Sequence, residues 1–181
     1  MGYRLKKTVV LVGMMGSGKT AVGTALAKIL DVAFLDSDQE IEKAADRSIA
    51  EIFARDGEDF FRTKETQVIS RLLETQSGVL STGGGAYLSE ENRKIISEKG
   101  VAVWLSADVD LLWARVRHRN TRPLLRTENP RKTLEMLCAT REPHYQKADL
   151  TVKARPEYSI EDMAEAVVSE ILTRKDVLER E

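Results

Sequence analysis

Apolar residues in this chain follow two patterns that alternate along its length. Short runs rich in β-branched residues stand at 8–12, 33–35, 78–81, 101–105 and 150–152, as expected of strands buried on both faces. Between them, segments such as 21–30 and 66–73 place apolar residues at helical spacing. Alternating strands and helices predict an α/β fold, a three-layer α/β/α sandwich around a five-stranded parallel sheet with right-handed crossovers. The stretch between the second and third strands is long and predicts a helical insertion. Residues 115–129, R-V-R-H-R-N-T-R-P-L-L-R-T-E-N, carry five arginines, a proline and no clear period, which predicts a loop. The charged tail at 173–181 is expected to fray. No repeat, low-complexity tract or linker interrupts the pattern, so 1–181 reads as one domain.

Composition changes this picture little. The 181 residues are 42% hydrophobic and 31% charged, with a formal net charge of −1, a balance that argues against a nucleic-acid partner. The single cysteine, Cys138, lies in an apolar helical pattern and is expected to be a buried, inert thiol in a reducing compartment. No apolar run approaches the length of a membrane span. The N-terminus, M-G-Y-R-L-K-K, passes straight into the first strand, leaving no room for a signal peptide. A cytoplasmic location is the expectation.

Ligands of parallel sheets gather at the carboxyl ends of the strands, and three segments there carry chemistry. Residues 8–20 read T-V-V-L-V-G-M-M-G-S-G-K-T, a strand followed by the pattern G-x-x-x-x-G-K-[ST], with Gly13, Gly18, Lys19 and Thr20 in its defining positions. Glycines let successive N–H groups turn toward one anion, and the helix that follows adds its positive end. Lys19 can reach the β- and γ-phosphates and Thr20 can ligate Mg²⁺. These residues predict binding of a nucleoside triphosphate.

The second strand ends in F-L-D-S-D. Asp36 and Asp38, two apart in extended chain, would point the same way, one toward a metal and one toward an acceptor hydroxyl. Alternatively, Asp38 caps a helix beginning near Gln39. No acid follows the third strand; Gly83, Gly84 and Gly85 stand there instead, suited to close approach of a ligand or to a plain turn. Arg62, Arg122 and Arg141 adjoin apolar or proline residues, and guanidinium groups so placed suit a carboxylate or phosphate, or a surface ion pair. His118 and His144 lack metal-ligand spacing, and Trp104 and Trp113 read as packing residues.

Together the segments G-M-M-G-S-G-K-T, F-L-D-S-D, S-I-A-E-I-F followed by F-F-R, S-T-G-G-G-A, R-P-L-L and R-E-P-H-Y-Q-K-A-D resemble the shikimate kinase family, over about residues 8–172. The resemblance implies a P-loop kinase that moves the γ-phosphoryl group of ATP to the 3-hydroxyl of shikimate, with Mg²⁺ required. It implies Asp38 as catalytic base, with Lys19 and Arg122 supporting the transfer, and Asp36 and Thr20 on the metal. Arg62 and Arg141 would clamp the shikimate carboxylate, Gly83, Gly84 and Gly85 would meet its ring hydroxyls, and Phe53 and Phe61 would wall its apolar side. ATP would lie on Gly16, Ser17, Gly18, Lys19, Thr20 and Ala21. Arg122 would belong to a lid at about 115–129, with Arg115 and Arg155 near the adenine. The expected partners are shikimate alone, with no membrane and no nucleic acid, and the expected state is a monomer. Two other classes share parts of this pattern. A gluconate or nucleoside monophosphate kinase would keep the P-loop and lid but need neither D-x-D, triple glycine nor paired arginines. A non-catalytic nucleotide sensor could inherit the fold, though such a domain typically loses a catalytic residue.

Overall fold

The computed structural model describes residues 2–75, 77–118 and 125–181. In chain order these form β1 (Tyr3–Leu5), β2 (Thr8–Val12), α1 (Lys19–Leu30), β3 (Ala33–Asp36), α2 (Ser37–Ala45), α3 (Ile49–Asp56) and α4 (Glu58–Thr75). There follow β4 (Gly78–Ser81), a 3₁₀ turn (Ala86–Leu88), α5 (Glu90–Lys99), β5 (Gly100–Ser106), α6 (Val109–Val116) and α7 (Pro130–Tyr145). The chain closes with β6 (Leu150–Lys153), α8 (Ile160–Ile171) and β7 (Leu178–Arg180). All five expected strands join one parallel sheet in the order β3-β4-β2-β5-β6. The expected insertion between β3 and β4 is α2, α3 and α4.

Alternation along β2 divides the interior in two. Val9 and Leu11 face α1 and α8 with Leu26, Val167 and Ile171, while Val10 and Val12 face the opposite layer with Ile41, Ile69, Ile96, Leu134 and Tyr145. Every residue of β2 is buried, as a central parallel strand requires. The order β3-β4-β2 sets three loops side by side, and the register keeps their exits level: Asp36 lies opposite Ser81, and Ser81 opposite Leu11. The two candidate acids, the three glycines and the phosphate loop therefore leave the sheet at one rim.

Three expectations need correction. The tail does not fray. Val177 and Leu178 are buried, and β7 pairs antiparallel with β1, Leu178 opposite Leu5. Two apolar residues amid the charges anchor it, and Lys6–Glu179 and Lys7–Asp176 ion pairs at 2.9 and 3.3 Å flank the strand pair. The same pairing makes a strand of the N-terminal segment. Nor does the arginine-rich loop begin at Arg115, because α6 runs through Val116, with Leu112 and Val116 buried one turn apart. At its far end, Asn129 caps α7 by accepting the Lys132 N–H at 3.1 Å. Residues 119–124, Arg122 among them, lie outside the described residues.

Candidate active site

The phosphate side is made of one continuous segment. Gly16 and Gly18 have φ of 80° and 90°, a left-handed backbone that side chains rarely adopt, so the loop can curl only with glycine there. Gly18 offers α1 no side-chain cap, and the first turn of α1 carries no acid. The helix thus keeps its positive end for an anion. Lys19 Nζ donates to the carbonyls of Gly13 (2.7 Å) and Met14 (3.1 Å), folding the ammonium over the loop. Ser17 Oγ is buried and has no hydrogen-bond partner among the described residues, a polar group suited to a ligand or water. Thr20 and Ala21 lie exposed in the first turn. Arg115 closes the loop from α6, its Nη1 donating to the Gly16 carbonyl at 3.0 Å, and burial lowers its pKa. Arg155 is exposed and sits 5.7 Å over the Tyr158 ring.

The acceptor side is assembled from four distant segments. Asp36 and Asp38 do not point together from extended chain, because the strand ends between them. Asp36 is the cap of α2: its Oδ1 accepts the N–H groups of Asp38 (2.9 Å) and Gln39 (3.2 Å). The capping role considered for Asp38 therefore belongs to Asp36, and Asp38 is left in the first turn, turned toward the glycines. Each of the three glycines lies against one candidate side chain. A Cβ on Gly83 would come 2.8 Å from Asp38 Oδ1, one on Gly84 2.8 Å from Arg141 Nη1, and one on Gly85 2.5 Å from Arg62 Nη2. The triplet does form a turn, with the Ala86 N–H donating to the Gly83 carbonyl at 3.1 Å, and the lack of Cβ atoms lets these three side chains close on it.

Two helices position the arginines, and each does so by breaking its own apolar stripe. The buried face of α4 runs Phe61, Glu65, Val68, Ile69, Leu72; that of α7 runs Leu134, Cys138, Arg141, Tyr145. Glu65, 1% exposed, accepts from Arg62 Nη1 at 3.0 Å, and Glu58 lies 3.6 Å from Arg62 Nε. Burial raises the Glu65 pKa, and the Arg62 charge opposes that rise. Arg141 is 9% exposed, and among the described residues no carboxylate pairs with it within 4.0 Å. A buried guanidinium without a counter-charge is costly unless an anion arrives. Burial, and next the neighbouring Asp36 charge, push the Asp38 pKa up to about 6, against the pull of Lys19. Phe61 is buried and Phe53 half-exposed, their rings 4.8 Å apart, with Arg62 5.2 Å over the Phe61 ring.

Glu65 and Tyr145 escaped the sequence reading. Both carried a signal, at i+3 from Arg62 and i+4 from Arg141, the spacings that share a helix face. Cys138 is buried in α7 as expected, with its thiol pKa raised by burial. Trp104 and Trp113 pack against the core. His118 is exposed, while His144 is half-buried against Arg93 at 3.4 Å. Among the described residues no cluster of three or more His, Cys, Asp or Glu could hold a metal by itself, and no helix is long and apolar enough to cross a membrane.

A family model described as shikimate kinase matches residues 15–173. The shikimate kinase of Cereibacter sphaeroides is 64% identical over 176 residues, covering 97% of this chain and 88% of that protein. That of Ruegeria pomeroyi is 63% identical over 175 residues, covering 97% and 90%. A solved shikimate kinase from Acinetobacter baumannii, in complex with shikimate, superposes with a TM-score of 0.86 at 39% identity, covering 93% of this chain and 94% of that one.

Proposed function

This chain belongs to the shikimate kinase family, and from that premise we propose how its residues phosphorylate shikimate with ATP. The reaction is a step of aromatic amino acid biosynthesis. Shikimate binds with its carboxylate on Arg141 and Arg62 and its ring along Phe61 and Phe53, and its hydroxyls meet the turn at Gly83, Gly84 and Gly85. The observation that carries this reading is Arg141: a buried cation, unpaired with any carboxylate among the described residues, beside an arginine already tied to Glu65. Such a pair of arginines calls for one planar anion.

Asp38 takes the proton of the 3-hydroxyl as the oxygen attacks. It lies against the glycine turn, and a pKa of about 6 leaves it ionised at neutral pH yet basic enough to accept. The phosphates of ATP lie on Gly16, Ser17, Gly18, Thr20 and Ala21, with Lys19 moving from the loop carbonyls to the transferring group. Thr20 and Asp36 would hold Mg²⁺, Asp36 through water. The donors fit: Asp36 Oδ2 makes no hydrogen bond among the described residues, and Mg²⁺ typically takes one or two protein ligands and completes its shell with phosphates and water. When bound there, the ion would neutralise charge on the ATP phosphates. Arg115 lies within reach of the nucleotide, and Arg122 and Arg155 complete its surroundings. The chain acts as one monomeric kinase domain in the cytoplasm. An ADP-release assay tests the reading: release should depend on shikimate, and an analogue lacking the carboxylate should support little. ADP release indifferent to shikimate would overturn it.

A further inference from the structure

Tyr145 reaches both halves of the site with one hydroxyl. Its side chain is fully buried, and its O–H donates to the Gly84 carbonyl at 2.6 Å while lying 4.0 Å from the sulfur of Met14 in the phosphate loop. The ring leans on Trp104 of β5, centroids 6.0 Å apart. A point one bond above Gly84 is 2.8 Å from Arg141 Nη1, 3.8 Å from the phenol oxygen and 3.9 Å from the Gly13 carbonyl. Acceptor turn, arginine and phosphate loop therefore converge where Tyr145 ends.

The bond to Gly84 fixes a peptide plane. In a trans peptide the C=O and N–H point in opposite directions, and no peptide among the described residues is cis. A Gly84 carbonyl held by Tyr145 therefore turns the Gly85 N–H away from α7. Among the described residues neither the Gly84 nor the Gly85 N–H donates within the chain, whereas the Gly83 and Gly85 carbonyls are taken by Ala86 and Leu88. A glycine pair has no side chain to limit rotation, so without an anchor the plane could turn freely. The turn is pinned further along by Asn92 on the Ala86 carbonyl (2.9 Å) and Arg93 on those of Tyr87 (2.9 Å) and Leu88 (3.0 Å), but none of these reaches Gly84.

We propose that Tyr145 is a positioning residue for the acceptor, fixing the Gly84–Gly85 peptide beneath Arg141 so that its N–H faces the substrate. This rests on the shikimate reading above. Burial keeps the phenol protonated, its pKa raised to about 12, so the anchor holds throughout the working pH range.

Tyr145→Phe keeps the ring and removes the hydroxyl. The KM and Kd for shikimate should rise about five- to tenfold, the worth of one intramolecular hydrogen bond, with kcat changed less than twofold and the Kd for ATP alone unchanged. Unaltered shikimate affinity in the folded variant, or an equal loss for ATP, would overturn the assignment. Should the variant not fold, titrating shikimate into the unmutated protein decides: the Gly85 amide resonance should shift at least as far as any in the phosphate loop, and a Gly85 amide that does not respond overturns it. The two readings fail differently. An unmutated protein whose ADP release ignores shikimate sinks both, while shikimate-dependent release with equal KM in Tyr145→Phe sinks only the role of Tyr145.

Discussion

Lys19 and Arg141 are both cations at the same rim of the sheet, and they are held in opposite ways. Lys19 rests on two carbonyls from the six residues before it. Arg141 comes from α7 to meet the glycine turn after β4, with no carboxylate paired to it among the described residues. The phosphate side is thus a backbone device, three positive-φ glycines and an uncapped helix end offered to an anion. The acceptor side is a side-chain device, assembled by packing and set by buried charges. A backbone device recognises any polyphosphate of the right shape. Under the proposed function, specificity for the acceptor lies across the cleft, in Asp38, Arg62 and Arg141.

The sharpest way to break that contrast is Asp38→Asn. Turnover should fall about 10³–10⁴-fold, the upper range for a general base, while ATP affinity stays nearly unchanged. In the unmutated enzyme, kcat/KM should fall tenfold per pH unit below about 6, because protonated Asp38 cannot accept the hydroxyl proton. Near-normal turnover by the variant would remove Asp38 from the chemistry.

Lys19→Ala strikes the other side. Losing a preorganised cation should lower kcat/KM about 10²–10³-fold, with the affinity for shikimate alone intact. If shikimate binding weakened as much as catalysis, the two sides would not be separable as described. Arg141→Lys is the milder counterpart, keeping the charge and losing the two-pronged donor. Calorimetric titration should show shikimate affinity reduced about 10- to 100-fold, the value of a charge-assisted pair of hydrogen bonds, and ATP affinity unaltered. An arginine that served only a surface ion pair would tolerate lysine, since such pairs contribute about 0–1 kcal/mol.

The same contrast explains what could be read from the sequence. A device built from contiguous backbone writes itself into contiguous residues, so the loop from Gly13 to Thr20 was legible in full. Asp38, Arg62, Arg141 and the three glycines were legible as candidates because their strand ends and helices were. Their connections were not. Glu65 and Arg141 sit on apolar stripes, where pattern reading expects aliphatic residues, and only packing shows that each charge is directed inward. The capping carboxylate is Asp36 rather than Asp38, because the strand gives way to helix between the two, which spacing alone does not disclose. The tail was misjudged for a related reason: a strand of three residues is made by its partner, and β1 lies at the other end of the chain.

The smallest expected effect tests whether the acceptor side stores charge at a cost to folding. The Asp38 carboxyl titrates at about 6 in the fold against 3.8 in free solution. The ionised form is therefore less comfortable folded than unfolded, and at pH above about 6 it destabilises the unliganded protein. As pH falls from 6 toward 3.8, the folded state takes up the proton first and the penalty fades; below 3.8 both states are protonated and none remains. The shift sets a ceiling of about 3 kcal/mol, and solvent screening of a partly exposed group leaves about 1–2 kcal/mol. Asp38→Asn should thus raise the melting temperature of the ligand-free enzyme at pH 7.5 by roughly 3–6 °C, and the gain should shrink to nothing near pH 4. An acid serving only to favour the α2 N-terminus predicts the opposite sign, since Asn there would lose a favourable charge at the positive end of the helix. Calorimetric melting of both proteins at the two pH values separates the cases. A lower melting temperature for the variant at pH 7.5 would mean that Asp38 is comfortable where it sits, and that the acceptor side is not held under electrostatic strain.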